Sequence, residues 1–472
     1  LLCGKTFKDI FMQLKNNYYL IFLSRLRCLG SFRLQMPGIR TIGFVLLPLL
    51  LCCLFLVGMN HFRMVRTHAQ VMVSSDVCSL GEYEPGGQAV TCTDLSALFE
   101  PGFFSQASPP VDFCSTKDDT PIRVHTSLES TLQHRLTVLL HRYAPLVGAG
   151  VVLDPATGAI LAMASYRHEN LNPDILAEGK GNYCTYAGFP AASLIKIVTA
   201  GAVLEKKDFT SYKKLPVSGR FHTLYKHQLG LKRQRFKPQP VSLEKAFSLS
   251  VNPFFGKLGI QVLKEAELME TARVLLFNVP IEFDFPVGTS KILVPESDYA
   301  RAEQACGFNT GTTISPLHAA LIASLPINEG RMMRPFLVER LESKAGAELF
   351  YRQLKTISQP FGVKSVQNLQ RLMRATVRYG TAKKSFAHLR RVRGSRNWVL
   401  GGKTGSLDLP DRQGRCEWFA GYGKNDKRKV AVAIVLVHGE KRTISSSYVA
   451  AEIIKNALCN PPLKIAKSGD AS

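Results

Sequence analysis

Two residues three apart carry the clearest chemistry in this 472-residue chain: Ser193 and Lys196, in the stretch Ala191-Ala192-Ser193-Leu194-Ile195-Lys196-Ile197-Val198-Thr199-Ala200-Gly201-Ala202-Val203-Leu204. Residues three apart share a face of a helix, so hydroxyl and amine can meet. The surrounding helix is apolar on nearly every side, which predicts burial. Burial pushes a lysine toward its neutral, basic form, and a neutral amine beside a serine can make the alcohol a nucleophile. Taken alone the pattern has an ordinary alternative, a Lys196 that snorkels to solvent. A second candidate is Ser250-Val251-Asn252, a hydroxyl and an amide two residues apart. On a continuous helix they would not share a face, so they converge only at a break, which Pro253 supports. There Ser250 could relay a proton and Asn252 could bond a substrate amide, or the pair could simply cap a helix. The third is Gly401-Gly402-Lys403-Thr404-Gly405-Ser406. A nucleotide P-loop is excluded, because that motif needs Gly where Asn397 stands and a helix afterwards, whereas Pro410 and strand-like residues follow. The remaining reading is an edge strand whose glycines let a ligand lie against the backbone, with Lys403, Thr404 and Ser406 holding a carboxylate.

The elements that must position these groups are legible in outline. Thr126-Ser127-Leu128-Glu129 predicts a helix start with Ser or Thr as cap, running to Leu140. Gly148–Asp154 and Ala159–Ser165, joined by Pro155-Ala156-Thr157-Gly158, predict a β-hairpin. Residues 241–275 read as helical, broken at 250–253; 315–327 as a buried helix beginning at Ser315-Pro316; and 364–378 as an amphipathic helix. Strands are expected at 398–400, 417–420 and 430–437, then a last helix over 447–458. Strands at both ends of a helical middle predict a sheet assembled from early and late segments, with helices inserted between.

Composition bounds the rest. Thr41–Met59 is 19 residues without a charge, long enough to span a bilayer; an uncleaved anchor is preferred to a signal peptide, since no clear A-x-A site follows. The first 35 residues hold six Lys or Arg and one Asp, and read as a basic tail or as sequence upstream of a start at Met36. Residues 63–120, with Pro85-Gly86-Gly87 and Pro109-Pro110, read as a linker or small platform, residues 121–460 as the functional domain, and 461–472 as a tail. The formal charge is +24. For an exported, anchored domain that favours a membrane surface or an acidic wall polymer over nucleic acid; Lys226–Lys237 is the densest basic stretch, and its plainest reading is a solvated face. Of eleven Cys, seven follow the anchor; Cys78, Cys92 and Cys114 fall in the linker, where a bridge could stiffen it. No spacing suggests a metal site and no cofactor is implied.

Taken together, S-x-x-K at 193–196, S-x-N at 250–252 and K-T-G at 403–405 resemble the penicillin-binding protein transpeptidases, within the serine β-lactamase and D,D-peptidase superfamily. Supporting stretches are Val151–Ser165, similar to the family's opening hairpin, Asn252-Pro253-Phe254-Phe255, Ser315-Pro316-Leu317-His318-Ala319-Ala320, Gly380-Thr381-Ala382 and Trp418-Phe419-Ala420-Gly421. The resemblance covers about 121–460. It implies an α+β fold of the β-lactamase/transpeptidase type, an antiparallel sheet flanked by helices plus an all-helical subdomain, preceded here by one transmembrane helix. It further implies a peptidoglycan D,D-transpeptidase of the bacterial cytoplasmic membrane with its catalytic domain outside, acting on stem peptides and trapped by β-lactams. By resemblance Ser193 attacks, Lys196 accepts its proton, Ser250 relays a proton to the leaving amine, Asn252 orients the donor, and Lys403, Thr404, Gly405 and Ser406 bind the terminal carboxylate, with the N–H groups of Ser193 and Ser406 as oxyanion hole. A D,D-carboxypeptidase, a β-lactamase or a β-lactam sensor are the neighbouring alternatives. The chain departs from the family in having Pro190-Ala191-Ala192 where Pro-Gly usually precedes the nucleophile, and Ser406 where Thr is common. Residues 63–120 are too short for a glycosyltransferase domain, which implies a separate polymerase partner.

Overall fold

In a computed structural model, residues 92–460 are described, apart from 101, 107–108, 118–119, 173, 180, 208, 234–235 and 411–412. All of them belong to one unit, Asp76–Ser472. The basic tail, the Thr41–Met59 span, Cys78 and the residues after 460 lie outside the described set. Among the described residues no helix is long and apolar enough to cross a membrane.

Five antiparallel strands form the central sheet. In chain order they are β1 (Val147–Leu153), β2 (Ile160–Arg167), β3 (Val399–Asp408), β4 (Arg415–Lys424) and β5 (Lys429–His438), arranged in space as β3-β4-β5-β1-β2. The sheet is therefore built from early and late segments, as the sequence implies, and β3 is an edge. Every residue of β1 is buried, as are nine of the ten in β5, because these central strands are covered on both faces. One face packs against α1 (Ser130–Tyr143) and the C-terminal helix Ser446–Cys459, through Leu136, Val432, Ile434 and Ile453. The other faces the helical part of the chain through Val151, Ala433, Val435 and Leu321.

Between β2 and β3 run, among other helices, α2 (Ile195–Lys206), α3 (Leu243–Ser248), α4 (Asn252–Lys257), α5 (Asp298–Cys306), α6 (Pro316–Ser324) and α7 (Val363–Arg378). In α2 all ten residues from Ile195 to Leu204 are buried, which accounts for its lack of a polar face. The Ser315 hydroxyl caps α6 by accepting from His318 N at 3.2 Å. The cap expected for α1 is not made. That helix begins at Ser130 after Glu129, without a side-chain cap bond. Thr126 Oγ1 instead donates to the Val111 carbonyl at 2.7 Å and Ser127 Oγ to that of Ile160 at 2.9 Å. Both hydroxyls bond backbone carbonyls instead, that of Ile160 within β2 and that of Val111 just before a strand, a competing use that serine and threonine readily find.

Part of the stretch read as a linker or small platform forms a strand. Strand Asp112–Lys117 pairs with Thr120–Thr126, which pairs with Val338–Ser343 and that with Glu348–Tyr351. This small sheet is anchored by Asp284, fully buried, whose carboxylate accepts from Leu337 N and Val338 N at 2.7 Å each and from the Arg352 guanidinium. Burial pushes the Asp284 carboxyl up, while Arg352 pulls it down. Removing one partner of such a pair strands the other in a dry interior. Asp284→Ala is expected to cost about 3–5 kcal/mol, read as a fall in urea midpoint; a shift equivalent to under about 1 kcal/mol would mean that water replaces the carboxylate.

Candidate active site

Three segments separated by up to about two hundred residues meet in one cleft of about 1240 Å³, lined among others by Ser193, Ser250, Asn252, Thr404, Gly405 and Ser406. Ser193 sits in a 3-10 turn, Ala192–Leu194, leading into α2. Ala192 has φ 47, a left-handed conformation that glycine adopts freely and other residues at a cost of about 1–2 kcal/mol. Alanine stands here in a conformation that glycine would adopt without strain. Strain of this kind persists only where surrounding structure enforces it.

Lys196 is fully buried. Its Nζ lies 2.7 Å from Ser193 Oγ, 2.8 Å from Asn252 Oδ1 and 2.6 Å from the Cys306 carbonyl. The last two neighbours can only accept. A neutral amine has two N–H bonds and one lone pair, so those acceptors fix both hydrogens and leave the lone pair for the Ser193 hydroxyl. Burial lowers the Lys196 pKa to about 8, within reach of the neutral form near physiological pH. The snorkelling alternative is excluded by this geometry. Asn252 cannot rotate away easily, since its Nδ2 donates to the His222 carbonyl at 3.1 Å.

Ser250 closes α3. Val251 N donates to the Ala246 carbonyl at 2.8 Å, and Ser250 has φ 57, the left-handed residue of a Schellman-type stop. That turn brings Ser250 and Asn252 to the same side, as a continuous helix could not. Behind Ser250 lies Lys403, also fully buried. Its Nζ donates to Ser250 Oγ at 3.0 Å and to the Thr404 carbonyl at 2.7 Å. Burial first, then the Lys196 charge, holds Lys403 well below the usual lysine range. The two amines are each backed by a phenylalanine ring of the same helical pair, Phe255 under Lys196 and Phe247 under Lys403, at 5.6 Å. Lys403 thus lies beneath the cleft floor and reaches the cleft through Ser250, while Thr404 and Ser406 reach the open side.

Gly405 faces the start of α2: a Cβ there would lie 3.2 Å from Ser193 N and 3.4 Å from Leu194 N, so only glycine lets the strand come this close without displacement.

Several contributors carry no signal in sequence, or a faint one. Cys306 acts through its carbonyl, which composition cannot reveal. Gly307, with φ 71, would place a Cβ 1.8 Å from the Ala192 carbonyl oxygen. Gly307→Ala is expected to cost roughly 2–4 kcal/mol from left-handed strain plus overpacking and to slow acylation by displacing both Cys306 and Ala192. A variant matching the wild type in thermal melting and acylation would overturn that reading. Thr381 Oγ1 lies 2.5 Å from Thr404 Oγ1, so the Gly380-Thr381-Ala382 stretch joins the cleft wall. Arg415, on β4, donates to Ser406 Oγ at 3.0 Å and pairs with Asp408 at 3.2 Å. His222 lines the cleft, its imidazole held below its usual range by partial burial and then by the two lysines.

Residues 148–458 match the family model of the penicillin binding protein transpeptidase domain. The peptidoglycan D,D-transpeptidase PbpA of Mycobacterium tuberculosis is 25% identical over 385 residues, 75% of either chain. Among solved structures, the D,D-transpeptidase domain of a peptidoglycan glycosyltransferase from Eggerthella lenta superposes with a TM-score of 0.56 at 21% identity, covering 80% of this chain and 89% of that one. The imipenem acyl-enzyme complex of penicillin-binding protein A from M. tuberculosis gives 0.56 at 24% identity, covering 71% and 80%. These structural likenesses carry the fold.

Proposed function

The chain belongs to the penicillin-binding protein transpeptidase family, and we propose that it is a membrane-anchored peptidoglycan D,D-transpeptidase acting through an acyl-enzyme on Ser193. Ser193 Oγ attacks the carbonyl of a stem peptide's terminal D-Ala-D-Ala bond, and Lys196 takes the hydroxyl proton. Negative charge develops on the carbonyl oxygen, where the N–H groups of Ser193 and Ser406 receive it; such preorganised donors are usually the largest electrostatic contribution in acyl transfer. Ser250, bonded to Lys403, hands a proton to the departing D-Ala amine. Thr404 and Ser406 hold the terminal carboxylate above the buried Lys403 amine, with Gly405 allowing the strand to approach. A neighbouring stem's amine then attacks the ester, releasing Ser193 and forming the cross-link. In a β-lactam the leaving nitrogen stays tethered, so the adduct persists.

The observation that carries this reading is the 2.7 Å contact between Ser193, at the cleft, and the fully buried Lys196. The uncharged span Thr41–Met59 supports an anchor that holds the domain on the outer side of the bacterial cytoplasmic membrane. The test is to incubate the purified protein with a D-Ala-D-Ala stem peptide and an amine acceptor, following products by mass spectrometry. A new amide between donor and acceptor is expected. Free D-Ala with hydrolysed donor alone would make it a carboxypeptidase; rapid penicillin hydrolysis, a β-lactamase; a lasting adduct with no peptide product, a sensor.

A further inference from the structure

Between Leu349 and Leu407 the chain holds thirteen Lys and Arg and no Asp or Glu. A run of that sign bias either repels itself or meets something negative. Part of it lines a second groove of about 1080 Å³, between α7 and the segments around Tyr212 and Glu244. Arg371, Arg374 and Arg378 project from α7 into this groove and are joined by Arg390. Their spacing of three and four residues sets them in one row, about 4.5 and 6 Å apart along the axis.

Only one of the row is neutralised. Arg371 Nε bonds Glu244 at 2.5 Å, with its guanidinium 4.3 Å from the centre of the Tyr212 ring. Arg374 and Arg378 are exposed and have no acidic partner among the described residues. Arg390 donates to the Arg378 carbonyl at 3.0 Å, which brings a further guanidinium to the end of the helix. Like charges four apart on a helix cost stability, and nothing within the described residues offsets that for Arg374 and Arg378. Tyr212 and Tyr379 flank the row with exposed rings.

We infer that this arginine-lined groove binds a linear polyanion bearing a phosphate group at each repeat. Guanidinium forks match phosphate oxygens bidentately, a row of them matches a repeating charge better than a single ion, and a concave groove suits a strand better than a flat bilayer surface. α7 leads directly through Tyr379 and Gly380 to Thr381 in the catalytic cleft, so a polymer held here lies on the helix that carries one cleft wall.

The test uses the full chain in detergent, with inorganic polyphosphate as probe, and compares wild type with Arg374→Gln/Arg378→Gln. The wild type should bind polyphosphate with a steep salt dependence. The double variant should bind about tenfold or more weakly, with the log–log salt slope smaller by about 1.4, as for two lost phosphate contacts on a single strand. Its labelling by fluorescent penicillin should be unchanged, which separates loss of the groove from loss of fold. A control, Lys232→Gln/Lys237→Gln, alters equally exposed charges in the 226–237 stretch and should bind polyphosphate nearly as wild type does. The inference is overturned if both double variants lose affinity equally. It is overturned too if orthophosphate binds as well as the polymer, or if the Arg374/Arg378 change affects binding only to phosphatidylglycerol-containing vesicles.

Discussion

Ser193→Ala is expected to abolish covalent capture of a fluorescent penicillin, leaving no labelled band at any drug concentration. The substitution removes one oxygen from a 3-10 turn, and alanine is a good helix former, so no local reason to unfold arises. Lys196 keeps its other two partners, the Asn252 side chain and the Cys306 carbonyl. The thermal midpoint should therefore remain close to that of the wild type, with a stability change within about 1 kcal/mol. Loss of labelling with an unchanged melt isolates the missing nucleophile. Labelling at the wild-type level would place the acylated atom elsewhere and remove the basis of the proposed reaction.

Lys196→Met should slow acylation by roughly 10²–10⁴-fold, the range for removing a positioned general base. Methionine keeps similar length and apolar bulk in a site where the wild-type amine is fully buried. Two opposing effects act on stability: a costly buried charge disappears, while Asn252 Oδ1 and the Cys306 carbonyl lose a donor, about 1–3 kcal/mol for each acceptor left unsatisfied. A merely structural Lys196 would show in the melt. A base shows in the pH profile. Burial sets the Lys196 pKa at about 8, and only the deprotonated amine can take a proton. The wild-type acylation rate should therefore climb as pH rises through about 8 and level off above it. At pH 7 about a tenth of the molecules would hold the free amine. In Lys196→Met that rise should vanish. A wild-type rate flat between pH 6.5 and 9 would rule out Lys196 as the titrating base.

The local elements were readable because each leaves a local trace. The apolar stretch 191–204 predicts a buried helix around one amine, the β-rich runs and turn residues at 148–165 predict a hairpin, and Pro253 marks the break at 250–253. The family itself was legible in the order of three short motifs. By contrast, the cap expected for α1 is not made, because Thr126 and Ser127 bond the distant carbonyls of Val111 and Ile160, which sequence does not display. The arrangement of the two lysines was equally hidden. Sequence places Lys403 in a carboxylate site; the fold adds that its amine meets Ser250 Oγ at 3.0 Å, a contact between residues 153 positions apart.

What the sequence determined by itself is the set of reactive groups and the apolar surroundings that make an ammonium costly, since residue type and periodicity are local properties. What only the tertiary structure decided is which acceptors hold the Lys196 amine, above all the Cys306 carbonyl 110 residues away, and how Gly307 and Gly405 let three segments close on one oxygen. A backbone carbonyl is present at every position, so no residue type announces it. Its role comes from long-range packing that places one such group beside an amine with no water to satisfy it.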